Sequence, residues 1–473
     1  MIRLISKFTA ALLIAYTIFA CSGPGTRVDP HTLIFPALSF NVPTSERFQL
    51  DNGMIVYLMT DHELPLVNVT AYINTASIYD PEDKVGLARL TGAVMRSGGT
   101  LQTPVEKLDA ELEFLASAVE SSIGSDMGNV SLTTLKKNLP QTLDLFGQIM
   151  MEPVFREDRI ELAREQTLEG LRRQNDGPKG IADREFTRAL YKGHPLARVQ
   201  TIASVTRINR DDLLAFHKRY YHPNNVILAV SGDIGREELL KSLGKVFSGW
   251  QREEIVFPAI APPKTEMKSA VLFAHKDVNQ SVIRLGSLGI EKSNPDLYAV
   301  RVMDYILGGG FTSRLTQEVR SNQGLAYQAA SYFDVGRRFV GTFRVETETK
   351  SESTAKVISL ILKIMTGMTK VAVSDQELSL AKDSIIHSFI FGFAKTDTVV
   401  NQQVRLEFFG YPPGYLNNYR DNIAKVTKED VLRVAQKYLK PDALTITVVG
   451  NEKKFDTPLS MFGPVKEIKL EIK

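Results

Sequence analysis

Arg320 and Tyr327 are the residues whose types and spacing first suggest chemistry. They lie in the stretch Leu307-Gly308-Gly309-Gly310-Phe311-Thr312-Ser313-Arg314-Leu315, which runs on through Arg320 to Gly324-Leu325-Ala326-Tyr327. A guanidinium and a phenol held close together can both donate to one carbonyl or carboxylate oxygen. The surrounding residues predict how they would be held. Three consecutive glycines let the backbone pass close to another segment or to a ligand. Leu315 and Val319, four apart, predict a short helix that Gly324 closes. The alternation of Leu325, Tyr327 and Ala329 predicts that a strand opens there. The same residues also fit a plain helix–turn–strand, with Arg320 solvated and Tyr327 in the core, and spacing alone leaves both readings open.

The run LGGGFTSRLTQEVRSNQGLAY resembles, without a gap, the second-domain signature of the pitrilysin/insulinase (inverzincin) metallopeptidases, which include the mitochondrial processing peptidases. In that family the Arg and Tyr of the signature grip the substrate backbone. The resemblance therefore implies a substrate-binding role for Arg320 and Tyr327. Gly308, Gly309 and Gly310 would line the substrate cavity or let chain segments pack tightly.

The family's zinc site sits in its first domain, on a helix after a Gly-Leu-Ala stretch, with the signature H-x-x-E-H and a more distant Glu. Two imidazoles four apart share a helix face, the distant carboxylate completes the triad, and the signature Glu is the base for the metal-bound water. The matching stretch here is Gly86-Leu87-Ala88-Arg89-Leu90-Thr91-Gly92-Ala93-Val94. Arg89 stands at the first His position, Gly92 at the Glu and Ala93 at the second His. The distal ligand aligns with Gly170, and a one-residue slip would place Glu169 there. A lone carboxylate still makes no zinc site. Arg89 reads as a solvated replacement, with occupation of the metal's place by its charge as the other reading. The seven histidines offer no substitute set. Only His217 and His222 are close, and a spacing of five turns them to different helix faces. These and His194, in a Gly-His-Pro turn, are expected at the surface or in caps. No catalytic zinc site and no bound metal are expected in this chain.

A length of 473 residues suggests two to four domains, and 43% hydrophobic with 23% charged residues is the composition of a globular protein. A net charge of +3, with no basic run interleaved with aromatics, gives no support for nucleic acid as a partner. Arg3 and Lys7 precede a mostly apolar run from Phe8 to Phe19, as in a secretion signal and too short for a span. Ile18-Phe19-Ala20-Cys21-Ser22 follows and resembles a bacterial lipoprotein box. Cys21 is the only cysteine, which favours lipidation there over an ordinary signal peptide. It also means that no disulfide framework supports the fold. Ser22 after the cysteine resembles the type sorted to the outer membrane.

The chain repeats itself. Residues 212–233 (DLLAFHKRYYHPNNVILAVSGD) match 430–451 (DVLRVAQKYLKPDALTITVVGN) with every pair 218 positions apart. Asp212 pairs with Asp430, Tyr220 with Tyr438, Pro223 with Pro441 and Gly232 with Gly450. Each copy reads as an acid-capped helix, a Pro turn and a buried strand ending in Gly. Residues 45–256 and 269–473 are expected to be homologous α+β domains, each a mostly antiparallel sheet with helices stacked on one face. Residues 257–268 form a Pro-rich linker, 22–44 a tether and 1–21 the lipoprotein signal.

Together these features resemble the zinc-free subunit of a bacterial heterodimeric peptidase. The resemblance implies a homologous zinc-bearing partner that holds the metal, a peptide substrate clasped by Arg320 and Tyr327, and a lipid on Cys21 that anchors the chain, on the periplasmic face of the outer membrane. A catalytically inert peptide-binding or scaffold lipoprotein is the rival expectation.

Overall fold

A computed structural model of the protein describes residues 40–264 and 269–471; the signal segment, Cys21 and most of the tether lie outside them. The first half opens on a hairpin. Strands β1 (Glu46–Gln49) and β2 (Ile55–Thr60) pair antiparallel around Asp51-Asn52-Gly53, where Gly53 takes φ +93°, a conformation that favours glycine. With β3 (Leu66–Ile73), β4 (Ala118–Ile123), β5 (Gly128–Leu135) and β6 (Val226–Gly232) they form a sheet in the order β1-β2-β6-β3-β5-β4. Only β2 and β6 run parallel.

The second half repeats the plan. It contains β7 (Ala270–His275), β8 (Gln280–Leu288), a two-residue β9 (Ile290–Glu291), β10 (Ala329–Phe333), β11 (Val335–Gly336), β12 (Thr342–Lys350), β13 (Thr445–Gly450) and β14 (Val465–Glu467). The large sheet has the order β10-β12-β8-β13-β7-β14, while β9 and β11 pair separately. Read from its other edge, this order matches the first sheet from β2 to β4, with β7 in the place of β2 and β10 in the place of β4, whereas β14 runs parallel to β7 where β1 runs antiparallel to β2. Both sheets are mixed and mostly antiparallel, in agreement with the sequence.

The first-half helices are α1 (Leu87–Ser97), α2 (Val105–Phe114), α3 (Leu139–Met151), α4 (Glu157–Arg172), α5 (Pro178–Leu190), α6 (Ile202–Thr206), α7 (Arg210–Tyr220) and α8 (Arg236–Phe247). Those of the second half are α9 (Leu297–Asp304), α10 (Thr354–Lys370), α11 (Asp375–Phe391), α12 (Thr396–Phe408), α13 (Tyr415–Ala424) and α14 (Lys428–Tyr438). The internal repeat falls on α7 with β6 and on α14 with β13. Both helices start in the same way. Asn209 and Asp212 exchange side-chain-to-backbone hydrogen bonds of 3.1 and 2.9 Å, and Thr427 and Asp430 do so at 3.1 and 3.2 Å. These reciprocal caps satisfy amides that a helix start otherwise leaves free.

One feature exceeds the expectation of helices on one face. β6 and β13 are buried at almost every position because both faces of each sheet are covered, and the second cover comes from the opposite half. Helix α12 lays Val400 and Val404 on Tyr72, Ile227 and Ala229 of the first sheet. Helix α5 lays Ile181 and Ala182 on Ala274, Val282 and Val449 of the second. Polar seams flank each exchange. Glu407 on α12 binds Arg47 (2.8 Å) and the Tyr57 hydroxyl, and buried Arg284 on β8 donates to Asp183 on α5 at 2.6 Å. Gln403 on α12 also holds the end of the tether, with 2.6 Å to the Pro43 carbonyl and 3.0 Å to the Ser45 amide. Beside β11, Arg338 reaches into the first half and donates to Asn74 Oδ1 and the Asp126 carbonyl, both at 2.6 Å.

Two local expectations are corrected. The strand after Gly324 begins at Ala329, so Leu325 and Tyr327 precede it. Three alternating residues fit a strand, but Leu325 is instead drawn back by a 2.9 Å bond from its amide to the Val319 carbonyl. His217 is not at the surface. It is buried on α7, with Nε2 2.9 Å from the Met150 carbonyl and its ring stacked on Tyr221.

Candidate functional site

The first half contains the helix on which the metal site would lie. Helix α1 follows a left-handed Gly86 (φ +116°), and Asp80 caps it by accepting from the Gly86 and Ala88 amides at 2.8 and 2.9 Å. Burial pushes the Asp80 carboxyl up to about 6 against the pull of those amides. Along α1, Arg89 and Ala93 are exposed and Gly92 is buried. Gly92 rests on edge strand β4: a Cβ there would lie 2.5 Å from the Ile123 amide nitrogen, and Ser121 Oγ donates to the Gly92 carbonyl at 2.6 Å. Gly170 is exposed on α4, beside α1. Neighbouring Glu169 is paired with Arg173. Among the described residues, no three or more His, Cys, Asp or Glu side chains are grouped to hold a metal ion. The residues at the expected metal position do not fit zinc. They offer neither imidazole nor carboxylate, and a side chain at position 92 would run into the β4 backbone.

Four other described histidines have partners of their own. His62 and His275 pair with Asp233 and Glu452, each at 2.5 Å. His222 Nε2 bonds the Lys218 carbonyl at 2.7 Å. His194 caps its turn by accepting from the Leu196 amide at 3.2 Å.

The second half builds the Arg/Tyr segment from the edge strand outward. Helix α9 widens into an i→i+5 turn over Tyr305–Gly309, closed by a 3.0 Å bond from the Gly310 amide to the Tyr305 carbonyl. Gly308 is buried against β10, and a Cβ there would collide with the Ser331 amide nitrogen. Buried Asp304 fastens the same contact by accepting from Ser331 Oγ at 2.6 Å and from the Phe333 amide at 3.0 Å. Gly310 lies on the Tyr305 ring, where a Cβ would stand 2.6 Å from a ring carbon, and Gly309 is exposed. Gly308 and Gly310 are thus used for close packing.

The predicted short helix is a second widened turn, Thr316–Asn322, anchored by buried Leu315 and Val319. Gly324 leaves it at φ +60°, the left-handed closure expected from the sequence. Arg314 and Arg320 then take different roles. Arg314 forms two bonds of 2.7 and 3.0 Å with Glu377 at the start of α11, and this hydrogen bonding holds the Glu377 carboxyl down at about 2. Arg320 has no such partner. Its guanidinium carbon stands 4.7 Å from the Tyr327 ring centroid and 5.5 Å from that of Phe311. Among the described residues, neither this guanidinium nor the Tyr327 hydroxyl has a hydrogen-bond or ion-pair partner. The nearby Glu318 is engaged by Asn322 at 2.8 Å and Gln323 at 3.3 Å. Tyr327 is 83% exposed and Phe311 75% exposed.

The structure therefore brings Arg320 and Tyr327 together, with donors that have no partner among the described residues. The sequence reading leaves Phe311 unassigned. An aromatic directly after the glycine run, nine positions before the arginine, is the signal that could have marked it.

Comparison with known proteins bears on the family and the fold. Residues 55–201 match the family described as insulinase (peptidase family M16), and residues 207–385 match the peptidase M16 inactive domain. A non-peptidase homologue from Helicobacter pylori, YmxG, is 23% identical over 89% of this chain and 97% of its own length. An uncharacterized zinc protease of Mycobacterium leprae is 26% identical over 64% of this chain and 69% of its own. Among solved structures, a peptidase M16 inactive domain from Pseudomonas fluorescens superposes with a TM-score of 0.78 at 26% identity, covering 86% of this chain and 98% of that one. A protease from Helicobacter pylori shares the fold, with a TM-score of 0.78 at 20% identity over 86% of this chain and 99% of its own. The two family matches together span most of residues 55–385, and the chain belongs to the insulinase family, peptidase family M16.

Proposed function

We propose that this chain is the non-zinc subunit of a two-subunit peptidase of its family. It would pair with a zinc-bearing homologue, whose metal activates the attacking water, and hold the peptide through Arg320 and Tyr327. One observation carries the reading: a guanidinium without an acidic partner stands 4.7 Å over an exposed tyrosine ring, so both groups can donate to a backbone carbonyl. It is supported by the first half, where Arg89, Gly92, Ala93 and Gly170 occupy the positions aligned with the ligands and base. An arginine that only balanced charge would pair with an acid, as Arg314 does. Preorganised donors of this kind contribute substantially, since removing one raises a barrier by roughly 2.7–4 kcal/mol. The chain is further proposed to sit in a bacterial cell envelope, held by a lipid on Cys21 at the periplasmic face of the outer membrane.

The test is co-expression with a zinc-bearing homologue, followed by peptide cleavage assays. Arg320→Ala and Tyr327→Phe are each expected to lower kcat/KM at least ten-fold without loss of the complex. Unchanged cleavage would overturn the clasp. The inert scaffold is favoured instead if the purified chain binds peptide and no zinc-bearing homologue accompanies it.

A further inference from the structure

Phe311 has no part in the clasp as stated, yet its position calls for a physical account. A phenylalanine left 75% exposed forgoes the benefit of burial. Its backbone is firmly placed: Gly310 packs on the Tyr305 ring before it, and Ser313 donates its amide to the Gly310 carbonyl at 3.1 Å after it. The ring lies 5.5 Å from the Arg320 guanidinium carbon, within range of a cation–π contact. Tyr327 supplies a second such contact at 4.7 Å.

A guanidinium can be fixed in two ways, with opposite consequences for a ligand. A carboxylate takes the in-plane N–H groups, as Glu377 does from Arg314 at 2.7 and 3.0 Å, and few donors are left. An aromatic ring meets the flat face and leaves the in-plane donors unused. Fixing by rings therefore reduces the side-chain entropy lost when the ligand binds without competing for its hydrogen bonds.

Resting on the clasp reading, we infer that Phe311 is a positioning residue. It holds Arg320 by its face so that the guanidinium edge is set in advance for a peptide carbonyl or carboxylate. An aromatic ring is required at position 311, and apolar volume alone does not suffice.

The test uses the full chain with Phe311→Leu, Phe311→Trp, Arg320→Lys and Tyr327→Phe. The Arg320 Nε–Hε resonance, assigned by its loss in Arg320→Lys, reports ring-current shift and mobility. Fluorescence anisotropy with a fluorescein-labelled β-casein peptide reports affinity. Phe311→Leu is expected to move the resonance toward its random-coil position and to weaken binding about two- to five-fold, the equivalent of an exposed cation–π contact. Phe311→Trp is expected to retain both. If Phe311→Leu keeps the wild-type resonance and affinity while Arg320→Lys weakens binding, the role of Phe311 is overturned and the clasp stands. If Arg320→Lys and Tyr327→Phe bind as the wild type does, the clasp reading fails. The resonance then still decides whether Phe311 holds Arg320.

Discussion

Two arginines six positions apart show how neighbours decide the use of one chemical group. Arg314 has Glu377 and ties the glycine segment to α11, while among the described residues Arg320 meets two rings and no acid. That Arg320 and Tyr327 would meet was offered by the family resemblance, while their spacing across a glycine-closed turn left a solvated Arg320 and a core Tyr327 equally open. That Arg314 would be consumed was not legible, since Glu377 lies 63 positions away with no local signal. His217 was misjudged for a similar reason. Its place near a proline turn suggested the surface, whereas the tertiary fold buries it against Met150, Phe155 and Tyr221. Burial lowers its pKa to about 4, so the folded state favours the neutral ring. This stabilisation is complete above the unfolded value of about 6.5 and is lost as pH falls towards 4. Asp80 acts in the opposite sense, because its raised carboxyl favours folding more as pH falls from about 6. Its contribution cancels when two proteins that share it are compared. Between pH 7 and pH 5 the wild type is therefore expected to lose about 2 kcal/mol more stability than His217→Gln. Urea melts at both pH values measure the difference, and equal losses would refute it.

At the level of elements, the two halves solve one packing problem in the same way. Each sheet ends in a strand, β4 or β10, whose outer edge would present unpaired backbone. In each half a helix settles on that strand through a glycine: Gly92 meets the Ile123 amide and Gly308 meets the Ser331 amide. The close approach explains why position 92 accepts no side chain. Gly92→Ala places a methyl 2.5 Å from a backbone nitrogen and is expected to cost about 1–3 kcal/mol in urea unfolding, although alanine is the better helix former. An unchanged midpoint would show that α1 can shift. The elements of the repeat were readable in advance, because strong local patterns specify them. The acidic caps of α7 and α14 lie where the repeat puts Asp212 and Asp430. The widened turns at Tyr305–Gly309 and Thr316–Asn322 were not readable. They arise from glycine packing and the pull of Val319 on Leu325 rather than from any residue period.

For the molecule as a whole, the internal repeat announced two matching halves but not that each lends the other a helix. The contacts of α5 with β13 and of α12 with β6 join residues far apart in sequence, and an amphipathic pattern does not say which sheet it will cover. The exchange changes what cutting the chain would do. Residues 251–264, without regular secondary structure and mostly exposed, form the natural place for a protease to nick, and Lys264 lies at their end. The upstream fragment would still hold α5 over β13, and the downstream fragment would still hold α12 over β6. Trypsin-clipped protein is therefore expected to show two bands on a denaturing gel yet elute from a sizing column as one particle, the pieces parting only in urea. Like two clasped hands severed at neither wrist, such fragments have to unfold to let go.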